Sequence, residues 1–261
     1  MNIVVGIKQV PEIPLVTVDS DKGVVNLPQS PGMMNPFDTY AIEEALRLKE
    51  KHGGTVTALS LGGKDADYAL REALALGADE AVHLMYDLFH NTDSIGVALA
   101  IAAGIKKLGN VDLVLFGKQA IDSDAATVPP AVGGFLNCPA VMFVRKIDSV
   151  ADGKMQVERM TDDGYDKVTV TLPAVVSVVK EINEPRLPSL KGKMSAKKKT
   201  VAALSAADLG LVPGNSEFEN AGKILKASPP AARPKGEIIS GASPAEVADK
   251  LFIRLRENQI L

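Results

Sequence analysis

The first two thirds of the chain alternate between short apolar runs and longer stretches whose apolar residues recur at helical spacing. Four runs rich in β-branched residues predict strands at 3–7, 56–61, 81–84 and 111–116. Helices are predicted from Asn35-Pro36, a cap followed by a favoured first residue, to the stop at Gly53-Gly54, and at 65–76 and 92–108. Apolar strands that alternate with helices indicate an α/β fold with an open, mostly parallel sheet covered on both faces, as in Rossmann-like nucleotide-binding domains.

The pattern changes after Pro139. Strands are predicted at 141–147, 154–160, 167–172 and 174–179, with a hairpin turn at 162–164. Residues 181–237 have little periodicity and several prolines, which predicts a long arm that packs on another chain. A capping box at 243–246 then begins an amphipathic helix. The predicted organisation is therefore an α/β domain over 1–180, an arm with a partner-recognition loop over 181–237, and a C-terminal helix within 238–261.

Composition removes several classes of protein. The chain has 261 residues, of which 46% are hydrophobic and 23% charged, values typical of a globular protein. Its single cysteine, Cys138, excludes an internal disulfide, and its three histidines lie far apart, so no metal site is predicted. A net charge of −3 gives no general case for binding nucleic acid. Without an apolar run of about 18 residues or a basic, signal-like start, we expect a cytoplasmic protein.

Polar loops follow three of the predicted strands, where an open parallel sheet binds its ligands. Gly6 and Lys8 end or follow the first strand, 61–65 follows the second, and 117–124 follows the strand at 111–116. Residues 125–131 could then begin a helix whose free N–H groups take a phosphate. This arrangement suits an adenine nucleotide, although glycines at 62, 63 and 117 are equally consistent with ordinary turns.

Other candidates carry less chemistry. Neither a GxGxxG nor a GxxxxGK[ST] motif occurs where a dinucleotide fold or a P-loop needs one. Residues 60–65 resemble the pyrophosphate loop of ATP pyrophosphatases, but Ala66 stands where that motif has serine. We interpret Cys138 as a buried, inert thiol. Glu43 and Glu44, in the middle of a helix, are predicted to form a solvated face, so no catalytic residue is predicted.

Residues 191–199 contain five lysines, which form either a solvated loop or a docking surface for an acidic partner. Leu190 stands at the start of this basic, glycine-containing loop, away from any periodic apolar face. It could belong to the core. The alternative, which we favour, is that its side chain projects and anchors a partner.

The whole chain resembles the beta (small) subunit of the electron transfer flavoproteins. The resemblance rests on motifs in matching order and spacing, namely VGIKQVP at 5–11, MNPFD at 34–38, AIEEA at 41–45, ALALGAD at 73–79, GKQAIDSD at 117–124, LPAVV at 172–176, NEPR at 183–186 and MSAKKK at 194–199.

This resemblance implies a heterodimer with an alpha subunit that holds most of the redox FAD. The beta subunit contributes a buried AMP, or a second FAD in the electron-bifurcating branch, and a loop that docks on acyl-CoA dehydrogenases and related flavoenzymes. Electrons then pass to a membrane quinone oxidoreductase, and the chain itself catalyses no reaction. A nucleotide hydrolase of the ATP-pyrophosphatase type and a monomeric nucleotide-sensing domain remain as alternatives from other classes.

The resemblance also assigns residues. The docking anchor is Leu190. The implied nucleotide site comprises Gly6, Asn35, Pro36, Phe37, Asp38, Leu61, Ala120, Ile121, Asp122, Ser123, Asp124, Ala125, Ala126, Thr127, Val128, Pro129, Pro130 and Ala131.

Two departures from the family pattern, and one similarity to its bifurcating branch, bear on the cofactor. Met160 stands where many relatives have a glutamate that could reach the flavin environment. The sequence SDAATVPP at 123–130 replaces the GDTAQVGP usual in the bifurcating branch, and its lost glutamine and extra proline favour AMP over a second FAD. The C-terminal residues 235–239 and 244–260 look more like the bifurcating branch, so the markers conflict.

Overall fold

The computed structural model describes residues 1–85, 93–211, 225–231, 233 and 235–261. Backbone contacts divide the chain into two units, Met1–Ala227 and Ser228–Leu261. The strands are β1 (Asn2–Gly6), β2 (Gln9–Val10), β3 (Thr17–Asp19), β4 (Val24–Asn26), β5 (Met33–Met34), β6 (Thr55–Gly62), β7 (Glu80–Met85), β8 (Leu113–Gly117), β9 (Ala140–Ala151), β10 (Lys154–Thr161), β11 (Gly164–Thr171), β12 (Ala174–Val178) and β13 (Ala202–Leu204). The helices are α1 (Pro36–His52), α2 (Ala66–Leu76), α3 (Ser94–Leu108), α4 (Val128–Leu136), α5 (Leu190–Lys198) and α6 (Pro244–Glu257).

One nine-stranded sheet organises the first unit, in the order β11-β10-β9-β12-β8-β1-β6-β7-β13. Seven neighbouring strands of this sheet, β9, β12, β8, β1, β6, β7 and β13, run parallel. Within the sheet, only the hairpin strands β10 and β11 pair antiparallel with their neighbours. Two apolar clusters cover its faces, one with α1 and α2 and the other with α3 and α4. The predicted α/β fold with a mostly parallel sheet is confirmed.

Local signals account for most helix boundaries. Pro36 is the first residue of α1, whose first turn carries Asp38, and Gly53 ends the helix with a φ of 71°. Asp93 caps α3, because its carboxylate accepts the N–H groups of Ile95 and Gly96 at 2.9 and 3.1 Å. The predicted start of α3 at residue 92 lies outside the described residues.

The segment after residue 180 differs from the predicted arm. Its described part contains α5, which packs against α2, and β13, which pairs with β7 and extends the main sheet. Leu190, predicted in a loop, is the first residue of α5. Glycine and lysine inside α5 obscure its helical pattern, so no helix is predicted there from the spacing of apolar residues.

The second unit contains α6 and the residues that lead into it. Ser243 caps the helix by accepting the N–H of Glu246 at 3.3 Å, and Glu246 in turn accepts the N–H of Ala242 at 2.7 Å. No residue of α6 is buried. Among the described helices of both units, none combines the length and the apolar character needed to span a membrane.

Candidate functional site

The predicted nucleotide residues meet at one edge of the sheet. β1 lies between β6 and β8 and runs parallel to both, so Gly6, Leu61 and Gly117 stand near the same carboxyl edge. Gly6 lies against the ring of Phe116, which leaves no room for a Cβ atom. Residues 35–38 form the start of α1, and residues 120–131 form the loop after β8 and the first turn of α4.

Asn35 joins three segments at this edge and is 1% exposed. Its Nδ2 donates to Asp38 Oδ1 and to the carbonyl of Gln119, both at 2.9 Å. Its Oδ1 accepts the N–H of Ile121 at 3.2 Å, and its own backbone N–H donates to the carbonyl of Lys8 at 2.8 Å. Both amide hydrogens are used within the protein, so Asn35 holds the loop after β8 in place.

Asp38 is the buried acid of this cluster. Its Oδ2 accepts the backbone N–H of Lys8 at 2.8 Å, and it also accepts from the backbone of Gly117. Burial raises the pKa of Asp38 to about 7 despite these hydrogen bonds. A Cβ on Gly117 would stand 2.5 Å from Asp38 Oδ1 and from the carbonyl carbon of Phe37. Glycine at 117 therefore serves close packing between β8 and α1.

A salt bridge connects the end of β1 with the loop. Lys8 Nζ lies 2.8 and 2.7 Å from the two carboxylate oxygens of Asp122. Within the loop, Gln119 Nε2 donates to Asp124 Oδ1 at 2.7 Å, and the N–H of Asp124 donates to the carbonyl of Ala120 at 2.8 Å. The loop is thus fixed both to the sheet and to itself.

The last part of the loop presents free backbone donors. Asp124 and Ala126 have φ values of 50° and 48°, which non-glycine residues rarely adopt, and Thr127 returns to a right-handed conformation. Backbone that alternates between these conformations forms a concave nest of N–H groups that binds anions. Pro129 and Pro130 carry no N–H, and the N–H groups of residues 125–128 donate to no acceptor in the described chain. The donors at the start of α4 are therefore these four.

Two groups near this edge were not among the nucleotide-site residues predicted from the sequence. The hydroxyl of Ser60, the residue before Leu61, is buried and has no partner among the described residues. Phe143 has a φ of 62°, and Lys118 Nζ lies 5.9 Å from the centre of its ring. A serine within an apolar strand and an aromatic residue near a bulge carry no local sequence signal, because only the fold brings them to the edge.

The prediction that Glu43 and Glu44 form a solvated face is wrong, since they are 4% and 8% exposed. Glu43 Oε2 accepts from Arg186 Nε at 2.7 Å, and Glu44 Oε2 accepts from Asn183 Nδ2 at 3.0 Å. Burial raises the pKa of Glu44. These partners lie about 140 positions along the chain, so helical spacing alone could not reveal them.

Cys138 is half-buried and lines a cavity of about 210 Å³ with Val114 and Ala174. Burial raises the pKa of its thiol, which opposes formation of the thiolate. In the described ranges, no three His, Cys, Asp or Glu side chains come together as a metal site.

Leu190 is the first residue of α5 and is 77% exposed. Leu187 and Met194 are exposed nearby, at 89% and 59%. Ser189 caps α5 by accepting the N–H of Gly192 at 3.0 Å, which fixes where the helix begins. The exposed position excludes a core role for Leu190 within this chain.

A family model described as "Electron transfer flavoprotein domain" matches residues 23–209. The chain belongs to this family. A curated relative from Thermoanaerobacterium thermosaccharolyticum, named electron transfer flavoprotein subunit beta, is 39% identical over 263 residues and 100% of both chains. A Mycobacterium bovis protein of the same name is 37% identical over 92% of each chain. Subunit CarD of a caffeyl-CoA reductase-Etf complex from Acetobacterium woodii is 37% identical over 100% of each.

The family match and the relatives named subunit beta confirm the resemblance to the beta subunit of the electron transfer flavoproteins. The family consists of electron carriers rather than enzymes, and a beta subunit implies an alpha-subunit partner. The nucleotide hydrolase alternative is therefore set aside. The assignment of single residues to a nucleotide or to a docking partner stays a prediction.

Proposed function

We propose that the chain is the beta subunit of a heterodimeric electron transfer flavoprotein that binds a structural AMP at the carboxyl edge of its sheet. The free N–H groups of residues 125–128, in a loop fixed by Asn35 and by the Lys8–Asp122 salt bridge, carry this proposal. The phosphate lies against these N–H groups, and the base lies against backbone near Gly6 and Leu61. The alpha subunit holds most of the redox FAD.

The loop suits a ligand with one phosphate group better than a ligand with a pyrophosphate. Two of the first three residues of α4 are proline, so donors remain only on the loop side of the helix start. Four donors in a short nest match one phosphate group. Bound AMP acts as a stabiliser, and at a concentration a hundredfold above its dissociation constant it adds about 2.7 kcal/mol to the free energy of unfolding.

The test is to purify the heterodimer, denature it and identify every released nucleotide. We expect one AMP and one FAD per heterodimer. Ala126→Val places a β-branched side chain at a φ of 48° and should disturb the nest, so that AMP is lost. Ala125→Val adds the same atoms at a neighbour without a positive φ and should keep AMP. Full AMP in Ala126→Val would contradict the site.

A second candidate is an electron-bifurcating flavoprotein with a second FAD in place of AMP. It is favoured by full-length similarity to the Acetobacterium woodii subunit, which is named as part of a caffeyl-CoA reductase-Etf complex and covers 100% of the chain. Release of two FAD and no AMP from the native heterodimer would establish this candidate and overturn the first.

We propose further that Leu190 anchors the electron donor, an acyl-CoA dehydrogenase or a similar flavoenzyme, and that electrons leave to a membrane quinone oxidoreductase. The side chain is exposed at the start of α5, and lysines follow it at 191 and 193. An apolar anchor with a basic rim suits an apolar pocket with acidic surroundings. The charges act mainly on the salt-dependent rate of encounter.

Leu190→Ala should weaken docking by about 2 kcal/mol, or roughly 30-fold in affinity. Leu27→Ala makes the same change at another exposed leucine, which is 67% exposed and lies outside both proposed interfaces, and serves as the matched control. Flavin content and reduction by dithionite should stay unchanged in both variants. Unchanged reduction by the dehydrogenase at limiting concentration in Leu190→Ala would exclude Leu190 as the anchor.

We also propose that α6 contributes to the alpha-subunit interface. Val247 and Leu255 of α6 are only partly covered, and Leu251 is 46% exposed, although all three share one face. An apolar helix face without cover within its own unit suits an obligate partner, whose interfaces exceed about 2,000 Å². Limited proteolysis should cleave this region in the isolated chain and spare it in the heterodimer. Equal resistance in both would contradict the proposal.

A further inference from the structure

The docking helix α5 is held against α2 by close backbone packing. Ala196 is 3% exposed, and a Cβ atom on Gly192 would collide with the carbonyl oxygen of Ala75 in α2. These two small residues, four apart, form the inner face of α5, while Leu190 and Met194, also four apart, are exposed. The inner face thus sets the direction in which Leu190 points.

Two cationic side chains bind the C-terminal end of α5 to its neighbours. Arg71 in α2 donates through Nη1 to the carbonyl of Ala196 at 3.0 Å, and its Nε lies 2.6 Å from Asp67 Oδ2. Lys199, just after α5, donates through Nζ to the carbonyls of Ala78 and Asp79, both at 2.9 Å. A cation from α2 thus binds a carbonyl in the last turn of α5, and a cation just after α5 binds the two carbonyls between α2 and β7.

We infer that Arg71 is a positioning residue for docking: it holds α5 at the angle at which Leu190 meets the electron donor. The inference rests on the proposed docking role of Leu190. A helix of nine residues is marginal by itself, so its order comes from its contacts with α2. An anchor on a loose helix must be ordered at each encounter, and this ordering weakens binding without any change in the anchor itself.

The main variant is Arg71→Gln in the complete heterodimer. We expect KM for an acyl-CoA dehydrogenase, reduced by its acyl-CoA, to rise about fivefold, with kcat, flavin content and dithionite reduction unchanged. Arg71→Lys keeps the charge and should recover part of the loss. Asp67→Asn removes the acid beside Arg71 but leaves the bond to Ala196, so its effect should be smaller.

Two readouts separate positioning from general stability. Amide hydrogen exchange should increase within α5 of Arg71→Gln and stay unchanged in the central strands. In a double-mutant cycle, Arg71→Gln should have no further effect on KM once Leu190 is alanine, because Arg71 acts only through that anchor. Unchanged exchange in α5, or a full loss that persists in the Leu190→Ala background, would overturn the inference.

A second variant keeps the test decisive if Arg71→Gln does not fold. Gly192→Ala displaces α5 through the carbonyl of Ala75 and leaves Arg71 intact. It should raise KM in the same way and show the same dependence on Leu190, and a KM equal to that of the wild type would count against the inference. If Leu190→Ala alone leaves KM unchanged, the docking proposal fails, while exchange within α5 still decides whether Arg71 holds the helix.

Discussion

Replacing Arg186 by alanine should destabilise the first unit of the chain, most of all at neutral pH. Glu43 is 4% exposed, and Arg186 binds it through Nε, the backbone N–H and Nη2 at 2.7, 3.1 and 3.2 Å. Arg47 Nε supplies one more bond, at 2.7 Å. The variant loses both side-chain bonds from Arg186 to Glu43, and its two bonds to the exposed Glu50, while Glu43 stays buried.

The loss in the free energy of unfolding depends on which contacts of Glu43 remain in the variant. Removing one partner of a buried ion pair costs about 3–5 kcal/mol. Arg47 still binds Glu43, and the side chain of Arg186 is 36% exposed, so water already screens part of the interaction. We therefore expect a loss of about 2 kcal/mol. For a domain of this size, that lowers Tm by roughly 4–8 °C.

The pH dependence has a definite sign. Burial favours the neutral form of Glu43, but hydrogen bonds from Arg186 and Arg47 outweigh it and lower the pKa of Glu43. A lowered pKa in the folded state stabilises the protein above the unfolded value of 4.5, and this contribution is lost as pH falls through the folded pKa. The difference between wild type and Arg186→Ala should thus be largest near pH 7 and shrink as pH falls below 4.5.

Thermal unfolding at pH 7 and pH 3, followed by circular dichroism, measures both effects. The control is Lys51→Ala, which removes an exposed cation from α1, the helix that carries Glu43. It should change Tm by no more than about a degree. A loss below about 0.5 kcal/mol at pH 7, or an equal loss at both pH values, would refute the argument that a buried carboxylate depends on Arg186.

Three further changes test the loop cluster and a helix start. Burial raises the pKa of Asp38 from 3.8 to about 7, so its contribution to stability is complete below pH 4 and falls by up to about 4 kcal/mol as pH rises through 7. Asp38→Asn should reduce the decrease in the free energy of unfolding between pH 5 and pH 8. If the decrease is the same as in the wild type, other groups cause it. Gly117→Ala should cost about 2–3 kcal/mol, because its Cβ meets Asp38 and Phe37, whereas Gly134→Ala, with open space around it, should be neutral or stabilising in the same denaturant titration. Asp93→Ala removes the cap of α3 and should lower the free energy of unfolding by about 1 kcal/mol, and an unchanged midpoint would show that the cap contributes nothing.

Signals within a few residues were enough to predict the sheet and its helices. The predicted strands at 56–61 and 81–84 are observed as Thr55–Gly62 and Glu80–Met85, because buried parallel strands are continuous apolar runs bounded by turns. Glycine and proline set the limits of α1 within one residue. The loop cluster was also located from the sequence, since parallel strands end at the same edge.

The features that were missed depend on contacts between distant parts of the chain. Helix α5 carries Gly192 and several lysines and has little apolar periodicity, because its inner face needs small residues against α2 rather than large apolar ones. The short ribbons β2–β5 and β3–β4 offer two or three residues each, too few for a pattern. Burial of Glu43 requires Arg186, which lies 143 positions away in the sequence and contacts Glu43 only in the folded chain.

The two proposed sites are anchored on different elements. Asn35 and Lys8 fix the loop of residues 120–128 to β1 and α1, whereas Arg71 and Lys199 fix α5 to α2 and to the start of β7. No described hydrogen bond or salt bridge joins one set of residues to the other. Changes at sites that share no hydrogen-bond or ion-pair partner are expected to add independently. Nucleotide content should therefore respond to loop variants alone, and donor KM to variants of α5 and its supports alone, so that a single variant altering both would point to a connection through the sheet.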